Sequence, residues 1–410
     1  MASRNILIIH QNFPGQFVHI TKALLERGDR VVAIGGPTAK PMDGVPLARW
    51  QAGRGSTPDI FYQAVRAEAD MIRGTAAVRA AAELKQRGFV PDLVIAHPQW
   101  GETLHLRSVF PDAPQILLGE LYYQAKGLDT DFDPEFDALN FGENLRIHAK
   151  NATQALAFST GSRIVCPTPF QANSFPPVFQ PMIDIIHEGI DTRRARRRPD
   201  AVLDLPNGRR LDASTPVITF INRRFERLRG FHVFMRALPE FLAACPDAHV
   251  VLIGDEKGVS YGQVLPDGQE WKDRMLAEVG DRLDPDRVHF LGYVEHSRMI
   301  DALSISWAHV YYTYPFIMSW SLLEAMACEC LILGSDVAPV RDAVTNGVDG
   351  VLNDFFDIGA LTAAMVRAVR EPAAFLAMRR AARETAVSRF DSRSVGLPAW
   401  MAVIDQVASG

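Results

Sequence analysis

Short apolar segments alternate with helix-like segments along this chain, and the alternation restricts its fold more than any other feature. The first half has strand-like runs at 6–9 and 30–34, with a helical pattern at 17–27 between them. Similar runs recur at 93–96, 115–118, 163–166 and 183–186. Strands and helices in strict alternation predict a parallel sheet with helical crossovers.

A second alternating series opens at residues 217–221 and continues through 249–253, 288–291 and 310–313. Between the two series, the short segment 193–198 is rich in arginine. A chain of 410 residues is too long for one ordinary core, and it fits two domains of about 200 residues each. We therefore predict two Rossmann-like units. The basic segment between them is either a solvated linker or a contact for an anionic membrane surface.

The composition excludes several classes of protein. A hydrophobic fraction of 48% and a charged fraction of 22% are typical of a soluble globular protein. The net charge of −5 argues against a dedicated nucleic-acid binder. The four cysteines lack metal-ligand spacing, which favours free thiols in a reducing cytoplasm. No run approaches the roughly 18 apolar residues of a spanning helix, so we expect a cytoplasmic protein that touches a membrane, if at all, peripherally at its inner face.

One helical pattern in the second half carries a carboxylate. Ser319 is a candidate N-cap, and Leu322, Leu323 and Met326 share one side of the following helix while Glu324 lies on another. A helix N-terminus suits a phosphate, and a carboxylate about one turn further in can accept two hydroxyl protons from a sugar diol. The alternative is a buried helix with one solvated glutamate.

A basic cluster follows the strand at 217–221. It includes Arg224 and Arg229, and it opens a helix at the carboxyl end of the strand, where ligands bind in open α/β sheets. The cluster either binds phosphate or is a surface group paired with Glu226. At the end of an earlier strand stands His97, for which a structural role is as plausible as a functional one.

Two further loops are candidates for ligands. Gly15 follows the first strand and could let the backbone approach a ligand closely. The loop around Asp129, Asp131 and Asp133 is acidic, but it lacks the glycine and the spacing of an EF-hand loop, so a solvated loop is the favoured interpretation. No Asp-x-Asp pair stands next to a strand, and we expect no metal site.

The motif Leu-Leu-Glu-Ala-Met-Ala-Cys at 322–328, followed by Gly-Ser-Asp at 334–336 and Asn-Gly-Val-Asp-Gly at 346–350, resembles glycosyltransferase family 4. That family consists of retaining, nucleotide-sugar-dependent enzymes with the GT-B fold. The resemblance implies two Rossmann-like domains whose parallel sheets face each other across a cleft. Residues 1–188 would form the acceptor-side domain, completed by a terminal helix at about 391–410, and residues 189–390 would form the donor domain.

The resemblance also implies roles for individual residues. The donor diphosphate would lie on Arg224 and Arg229, and the ribose on Glu324. The family's other acidic residue would fall at position 316, where this chain has Phe316. The remaining residues that the resemblance assigns to the donor, the hexose or the base are Gly15, His97, Tyr293, Val294, Ile317, Met318, Ser319 and Trp320.

The implied activity is transfer of a hexose from a UDP- or GDP-sugar to a hydroxyl acceptor, as in polysaccharide biosynthesis. The partners would be the nucleotide sugar and a glycan, lipid-linked or small-molecule acceptor, with no nucleic acid, metal or other cofactor. The alternatives are a non-catalytic nucleotide-sugar binding protein and an epimerase or phosphorylase of the same fold. A dinucleotide dehydrogenase is not expected, because no Gly-x-Gly-x-x-Gly follows either opening strand. The sequence does not indicate an oligomeric state.

Overall fold

Two open, wholly parallel sheets organise the chain, one in each half. A computed structural model describes residues 3–137, 141–265 and 267–409. Its contacts divide the chain into two compact units, Met1–Gly189 with Ser392–Gly410 and Ile190–Asp391. The predicted Rossmann-like architecture of both halves is therefore confirmed.

The first unit contains seven strands, in the spatial order β3-β2-β1-β4-β5-β6-β7. The strands are β1 (Asn5–Ile9), β2 (Arg30–Gly35), β3 (Leu47–Arg49), β4 (Leu93–Ala96), β5 (Gln115–Leu118), β6 (Arg163–Cys166) and β7 (Ile183–Ile185). The helices between them are α1 (Val18–Glu26), α2 (Val65–Gln86), α3 (Phe141–Ser159) and α4 (Pro169–Asn173).

Ahead of its parallel sheet, the second unit has an antiparallel hairpin that the sequence did not predict, β8 (Val202–Asp204) and β9 (Arg210–Asp212). Its parallel strands are β10 (Val217–Arg224), β11 (His249–Asp255), β12 (Val288–Phe290), β13 (Ala308–Tyr311), β14 (Leu331–Ser335) and β15 (Val351–Asn353), in the order β12-β11-β10-β13-β14-β15. The helices are α5 (Phe231–Ala244), α6 (Trp271–Val279), α7 (His296–Ile305), α8 (Trp320–Ala327), α9 (Ala338–Arg341), α10 (Ile358–Arg370) and α11 (Leu376–Phe390).

Both faces of the first sheet are covered by side chains. Leu7 and Ile9 belong to one buried cluster, whereas Ile6 and Ile8 belong to a second cluster that includes Trp400. Successive residues of a strand point to opposite faces, so burial on both faces explains why these runs are continuously apolar.

The last helix, α12 (Leu397–Ser409), packs on the first unit. Besides the apolar contact of Trp400, its Asp405 carboxylate accepts hydrogen bonds from Arg4 at 2.5 Å and from Arg27 at 2.8 Å. The end of the chain is thereby attached to the beginning of the first Rossmann-like unit.

The arginine-rich segment at 193–198 lies at the start of the second unit. Arg198 pairs with Asp301 of α7 at 2.7 Å, and its backbone N–H donates to Ser304. Arg193 and Arg194 are exposed. Within the described ranges, no helix has the length and apolar character that a membrane crossing requires.

The strand order places a switch point in each sheet. In the first sheet, the chain moves outward from β1 in one direction and continues from β4 in the other. In the second sheet, the corresponding neighbours are β10 and β13. Ligands of open α/β sheets bind beyond the carboxyl ends of the strands at such a point, so we expect ligands at the loops after β1, β4, β10 and β13.

Candidate functional site

Arg229 is a buried cation at the switch point of the second sheet. It ends a 3₁₀ turn after β10, and Gly230, at φ 68°, then turns the chain into α5. Its side chain donates to the Ile317 carbonyl at 2.9 Å and to the Thr313 hydroxyl at 3.1 Å. No carboxylate among the described residues forms an ion pair with Arg229, although the residue is only 6% exposed. A buried charge is ordinarily paired. The positive charge of this guanidinium can therefore pair with an anionic ligand.

Arg224 stands at the end of β10 and has different partners. Its guanidinium donates to the Val259 carbonyl at 3.2 Å and lies 3.8 Å from the Asp255 carboxylate. Its side chain is 35% exposed. The structure therefore places Arg224 against the loop that follows β11, whereas Arg229 donates hydrogen bonds to Thr313 and Ile317 in the loop that follows β13.

Glu226 does not neutralise either arginine. It is 1% exposed, and its Oε2 accepts hydrogen bonds from the backbone N–H groups of Ser260, Tyr261 and Gly262 at 2.9 to 3.3 Å. The alternative of a surface charge cluster paired with Glu226 is therefore wrong for this carboxylate. Its negative charge is used to hold a loop beside Arg229.

That loop brings the ring of Tyr261 to the guanidinium, where it meets Phe316 of the loop after β13. The ring of Tyr261 lies 5.0 Å from the ring of Phe316. The Arg229 guanidinium carbon lies 5.8 Å from the first ring centroid and 5.5 Å from the second, within cation–π range. Phe316 is 4% exposed, so the residue that replaces the family's acid is a packed wall of the arginine site.

The loop after β13 leads into α8 and is attached to the arginine turn. The N–H of Tyr314 donates to the Leu228 carbonyl at 2.9 Å. Ser319 caps α8 as the sequence predicts, with its hydroxyl accepting from the N–H of Ser321. The N–H of Ser319 itself donates to the hydroxyl of Tyr311 at 2.7 Å.

Tyr311 connects two of the predicted residues. Its hydroxyl lies 3.5 Å from Nη1 of Arg229 and accepts a hydrogen bond from the N–H of Ser319. Tyr311 therefore links the buried cation to the N-cap residue of α8. Sequence reasoning missed this tyrosine. The available signal was its position at the end of an apolar strand. Of the other two predicted residues here, Met318 is half-buried and Trp320 is 37% exposed.

Glu324 has a partner that the sequence did not reveal. Its Oε1 accepts a hydrogen bond from Nε2 of His296 at 2.6 Å. This hydrogen bond raises the pKa of His296 above its ordinary value, although burial and the neighbouring Arg194 and Arg198 oppose the shift. His296 begins α7 and follows the predicted base-binding residues Tyr293, which is 81% exposed, and Val294, which is half-buried.

In the first unit, Gly15 packs against the imidazole of His10. Gly15 has φ 49°, and a Cβ atom there would lie 2.4 Å from the imidazole. Nδ1 of His10 accepts the N–H of Asn12 at 2.9 Å, and Nε2 lies 2.7 Å from Oε1 of Gln16. Burial, followed by repulsion from His97, lowers the pKa of His10 to about 3, so the ring is neutral and donates from Nε2.

His97 is fully buried beside His10. Its ring is stacked on Trp100 at 4.2 Å and meets His10 edge-on at 5.1 Å. Its Nε2 lies 3.6 Å from the Glu120 carboxylate, which also accepts from the Gln16 amide at 2.7 Å. The loops after β1, β4 and β5 thus bring together a polar cluster that contains Gly15 and His97. Sequence reasoning did not identify His10 or Glu120.

The predicted residues fall into two groups, one in each unit. Arg229, Ile317 and Ser319 are joined by hydrogen bonds through one another and through Tyr311. Gly15 and His97 both contact the His10 ring. Across the described ranges, no three His, Cys, Asp or Glu side chains are grouped so as to hold a metal ion.

Comparison with known proteins identifies the family. A model described as "Glycosyl transferase family 4 group" matches residues 27–195, and one described as "Glycosyl transferases group 1" matches residues 205–386. The chain belongs to glycosyltransferase family 4. The family 4 resemblance that was inferred from the motifs is therefore confirmed.

Curated relatives match about half the length of this family 4 chain. Glycogen synthase of Mycobacterium tuberculosis is 26% identical over 216 residues, which is 52% of this chain and 46% of the relative. D-inositol 3-phosphate glycosyltransferase of Rhodococcus jostii is 28% identical over 199 residues, which is 48% of this chain and 41% of the relative. The chain thus spans less than half the length of these relatives.

Solved structures match the family 4 chain along nearly its whole length. Sucrose-phosphate synthase from Thermosynechococcus elongatus has a TM-score of 0.75 at 18% identity, covering 99% of this chain and 100% of that one. Anabaena HepE, solved in complex with UDP-glucose, has a TM-score of 0.69 at 15% identity, covering 98% and 100%. At these identities the likeness concerns the fold, and it confirms the expected GT-B class.

Proposed function

We propose that this chain is a retaining glycosyltransferase that moves a hexose from a nucleotide-diphosphate sugar to a hydroxyl acceptor. The observation that carries the proposal is Arg229, a buried guanidinium at the switch point with uncharged hydrogen-bond partners. A diphosphate beside it would supply the missing negative charge through charge-assisted hydrogen bonds. Family membership and the UDP-glucose complex of HepE support the same donor class, with UDP as the first nucleotide to test.

The chemistry requires positive charge where the leaving group departs. Breaking the sugar–diphosphate bond leaves negative charge on the phosphate oxygen, and preorganised donors stabilise that charge more in the transition state than in the ground state. Arg229 and Arg224 would supply two cations, and the first turn of α8 would add a partial positive charge. We propose that these groups make a metal ion unnecessary.

The remaining proposed donor contacts are those of the ribose, the base and the hexose. Glu324 would accept the ribose hydroxyls, and the backbone near Tyr293 and Val294 would hold the base. The hexose would lie under the loop at 317–320. The acceptor hydroxyl attacks from the face that the leaving group vacates, and a phosphate oxygen takes its proton, so no side chain is assigned as general base.

A thermal-shift screen with nucleotide sugars tests the donor class directly. Stabilisation by one donor would identify the base and the sugar together, because a ligand that binds only the folded state raises the unfolding temperature. Release of the nucleotide in the presence of that donor and an acceptor panel would then establish transfer. A screen in which no nucleotide sugar shifts the unfolding temperature would overturn the proposal.

Phe316 favours one second candidate, a non-catalytic nucleotide-sugar binding protein. The aromatic wall formed by Phe316 and Tyr261 stands where the resemblance to the family expects an acid toward the hexose, so the proposed nucleotide contacts would remain while a sugar contact is replaced. Tight donor binding without nucleotide release across a broad acceptor panel would establish this second candidate.

A further inference from the structure

We propose that His296 covers the Glu324 carboxylate in the nucleotide-free protein and competes with the nucleotide ribose for it. The proposal rests on the donor site described above and adds a specificity-determining residue to it. It concerns a contact made entirely within the second unit, between the first residue of α7 and the second turn of α8.

The exposure of the two side chains shows which one lies outermost. The His296 side chain is 43% exposed, whereas the Glu324 side chain beneath it is 13% exposed. Their Nε2–Oε1 distance of 2.6 Å is that of a short, charge-assisted hydrogen bond. A ligand that approaches Glu324 from solvent therefore meets the imidazole first.

We expect the ribose diol to bind both oxygens of the Glu324 carboxylate. Its two neighbouring hydroxyls are donors, and one carboxylate accepts both of them when each oxygen is available. In the nucleotide-free protein His296 occupies Oε1. A diol that binds both oxygens therefore competes with the imidazole that covers Oε1, and the free energy of the His296–Glu324 pair is subtracted from the free energy of nucleotide binding.

The charges around His296 make this competition depend on pH. Glu324 raises the pKa of His296, whereas burial, Arg194 and Arg198 lower it. Arg198 is itself paired with Asp301 of α7. The start of a helix is also an unfavourable place for a cation. Once the ribose displaces the imidazole from Glu324, the opposing effects remain, the pKa of His296 falls, and a proton is released.

The direction of the pH effect follows from this release. A group whose pKa is higher in the free protein than in the complex weakens binding at low pH. At acidic pH the charged imidazole holds Glu324, and nucleotide affinity is lowest. Above the raised pKa the imidazole is neutral and competes weakly, so affinity rises to a plateau.

Titration calorimetry with UDP and with GDP between pH 5.5 and 8.5 tests the proposal. We expect His296→Ala to bind the preferred nucleotide about two- to fivefold more tightly than the parent at the acidic end, the range that a partly exposed ion pair supports. The ratio should approach one at the alkaline end. The titration of the nucleotide's own phosphate cancels in this ratio, because both proteins bind the same ligand.

His296→Gln is the matched control, because it keeps a neutral donor that does not titrate. Its affinity relative to His296→Ala should stay constant with pH. Weaker binding by His296→Ala at every pH would show that the imidazole orients Glu324 for the ribose, and a ratio of one throughout would show no coupling. Either result overturns the proposal about His296, provided that Glu324→Gln still binds the nucleotide more weakly than the parent. If Glu324→Gln instead binds the nucleotide as tightly as the parent, the proposed donor site itself is wrong.

Discussion

The guanidinium of Arg229 donates a hydrogen bond to the backbone carbonyl of Ile317 across 2.9 Å. This bond joins the turn after β10 to the loop after β13, the two strands that flank the switch point of the second sheet. The same side chain that would bind a diphosphate therefore also shapes the loop under which a sugar would lie. Diphosphate binding at Arg229 would therefore be coupled to the geometry of this loop.

Arg229→Ala should weaken UDP binding by about 1.5–3 kcal/mol, the usual value of a hydrogen bond to a charged group. Uridine, which lacks the diphosphate, separates the two roles of the side chain in the same calorimetric experiment. Loss confined to UDP means that the guanidinium binds phosphate, whereas equal loss for uridine means that the loop has moved. Arg229→Lys keeps the charge without the planar fork and should give an intermediate affinity.

Arg224→Ala should have a smaller effect than Arg229→Ala. Its guanidinium is partly exposed and already lies 3.8 Å from the Asp255 carboxylate. Its electrostatic interaction with a bound diphosphate should therefore contribute less free energy than that of Arg229. The comparison uses the same UDP titration at one ionic strength. An Arg224 variant that loses more affinity than the Arg229 variant would contradict the assignment of the buried arginine as the main phosphate ligand.

Glu324→Gln should reduce UDP affinity by about 1.5 kcal/mol or more, because the amide accepts through one oxygen where the carboxylate offers two. The matched ligand is 2′,3′-dideoxy-UDP, which lacks the ribose diol. We expect parent and variant to bind this analogue with similar affinity. If the variant loses the same affinity for both ligands, Glu324 acts on something other than the ribose hydroxyls.

Gly15→Ala should destabilise the first unit. The added Cβ would lie 2.4 Å from the His10 ring, at a residue with φ 49° that side chains rarely adopt, and such strain costs about 1–3 kcal/mol. Gly53→Ala is a suitable control, because a Cβ there meets nothing within 4 Å. Thermal unfolding of both variants should show a lower midpoint for the first and an unchanged midpoint for the second.

We expect the free energy of unfolding to fall as the pH rises, because the buried carboxyl of Glu102 is protonated in the folded state. Glu102 is 1% exposed, neither of its oxygens has a hydrogen-bond partner among the described residues, and burial raises its pKa from 4.5 to about 7. The folded state holds a proton that the unfolded chain gives up, so its contribution is complete below pH 4.5 and lost as the pH rises through about 7. At about 1.4 kcal/mol per unit of pKa, the loss is roughly 3 kcal/mol.

Urea unfolding at pH 5 and pH 8 measures this contribution of Glu102. Glu102→Gln carries no titrating proton at this position, so its midpoint should fall less than that of the parent between the two pH values. The other titrating groups are common to both proteins and cancel in the comparison. Identical pH dependence of parent and variant would mean that the Glu102 carboxyl titrates normally.

Local patterns predicted much of the architecture. The strand at Leu93–Ala96 and the cap of α8 at Ser319 occur where the sequence indicates them, because side-chain alternation and capping are set by neighbours in the chain. The hairpin Val202–Asp204 with Arg210–Asp212 was missed, since these short strands alternate only over three residues each. The pairing of Glu226 with three loop amides was also not predictable, because those amides lie more than 30 residues away.

The sequence by itself determined the fold class and the family, and it supplied the charged residues that are proposed to bind a diphosphate and a ribose. Only the tertiary structure decided how those charges are used. Arg229 meets Ile317 across 88 residues, and His296 meets Glu324 across 28. The physical reason is that parallel strands bring the ends of distant segments to one edge of a sheet, and burial there decides which charged groups find partners within the protein.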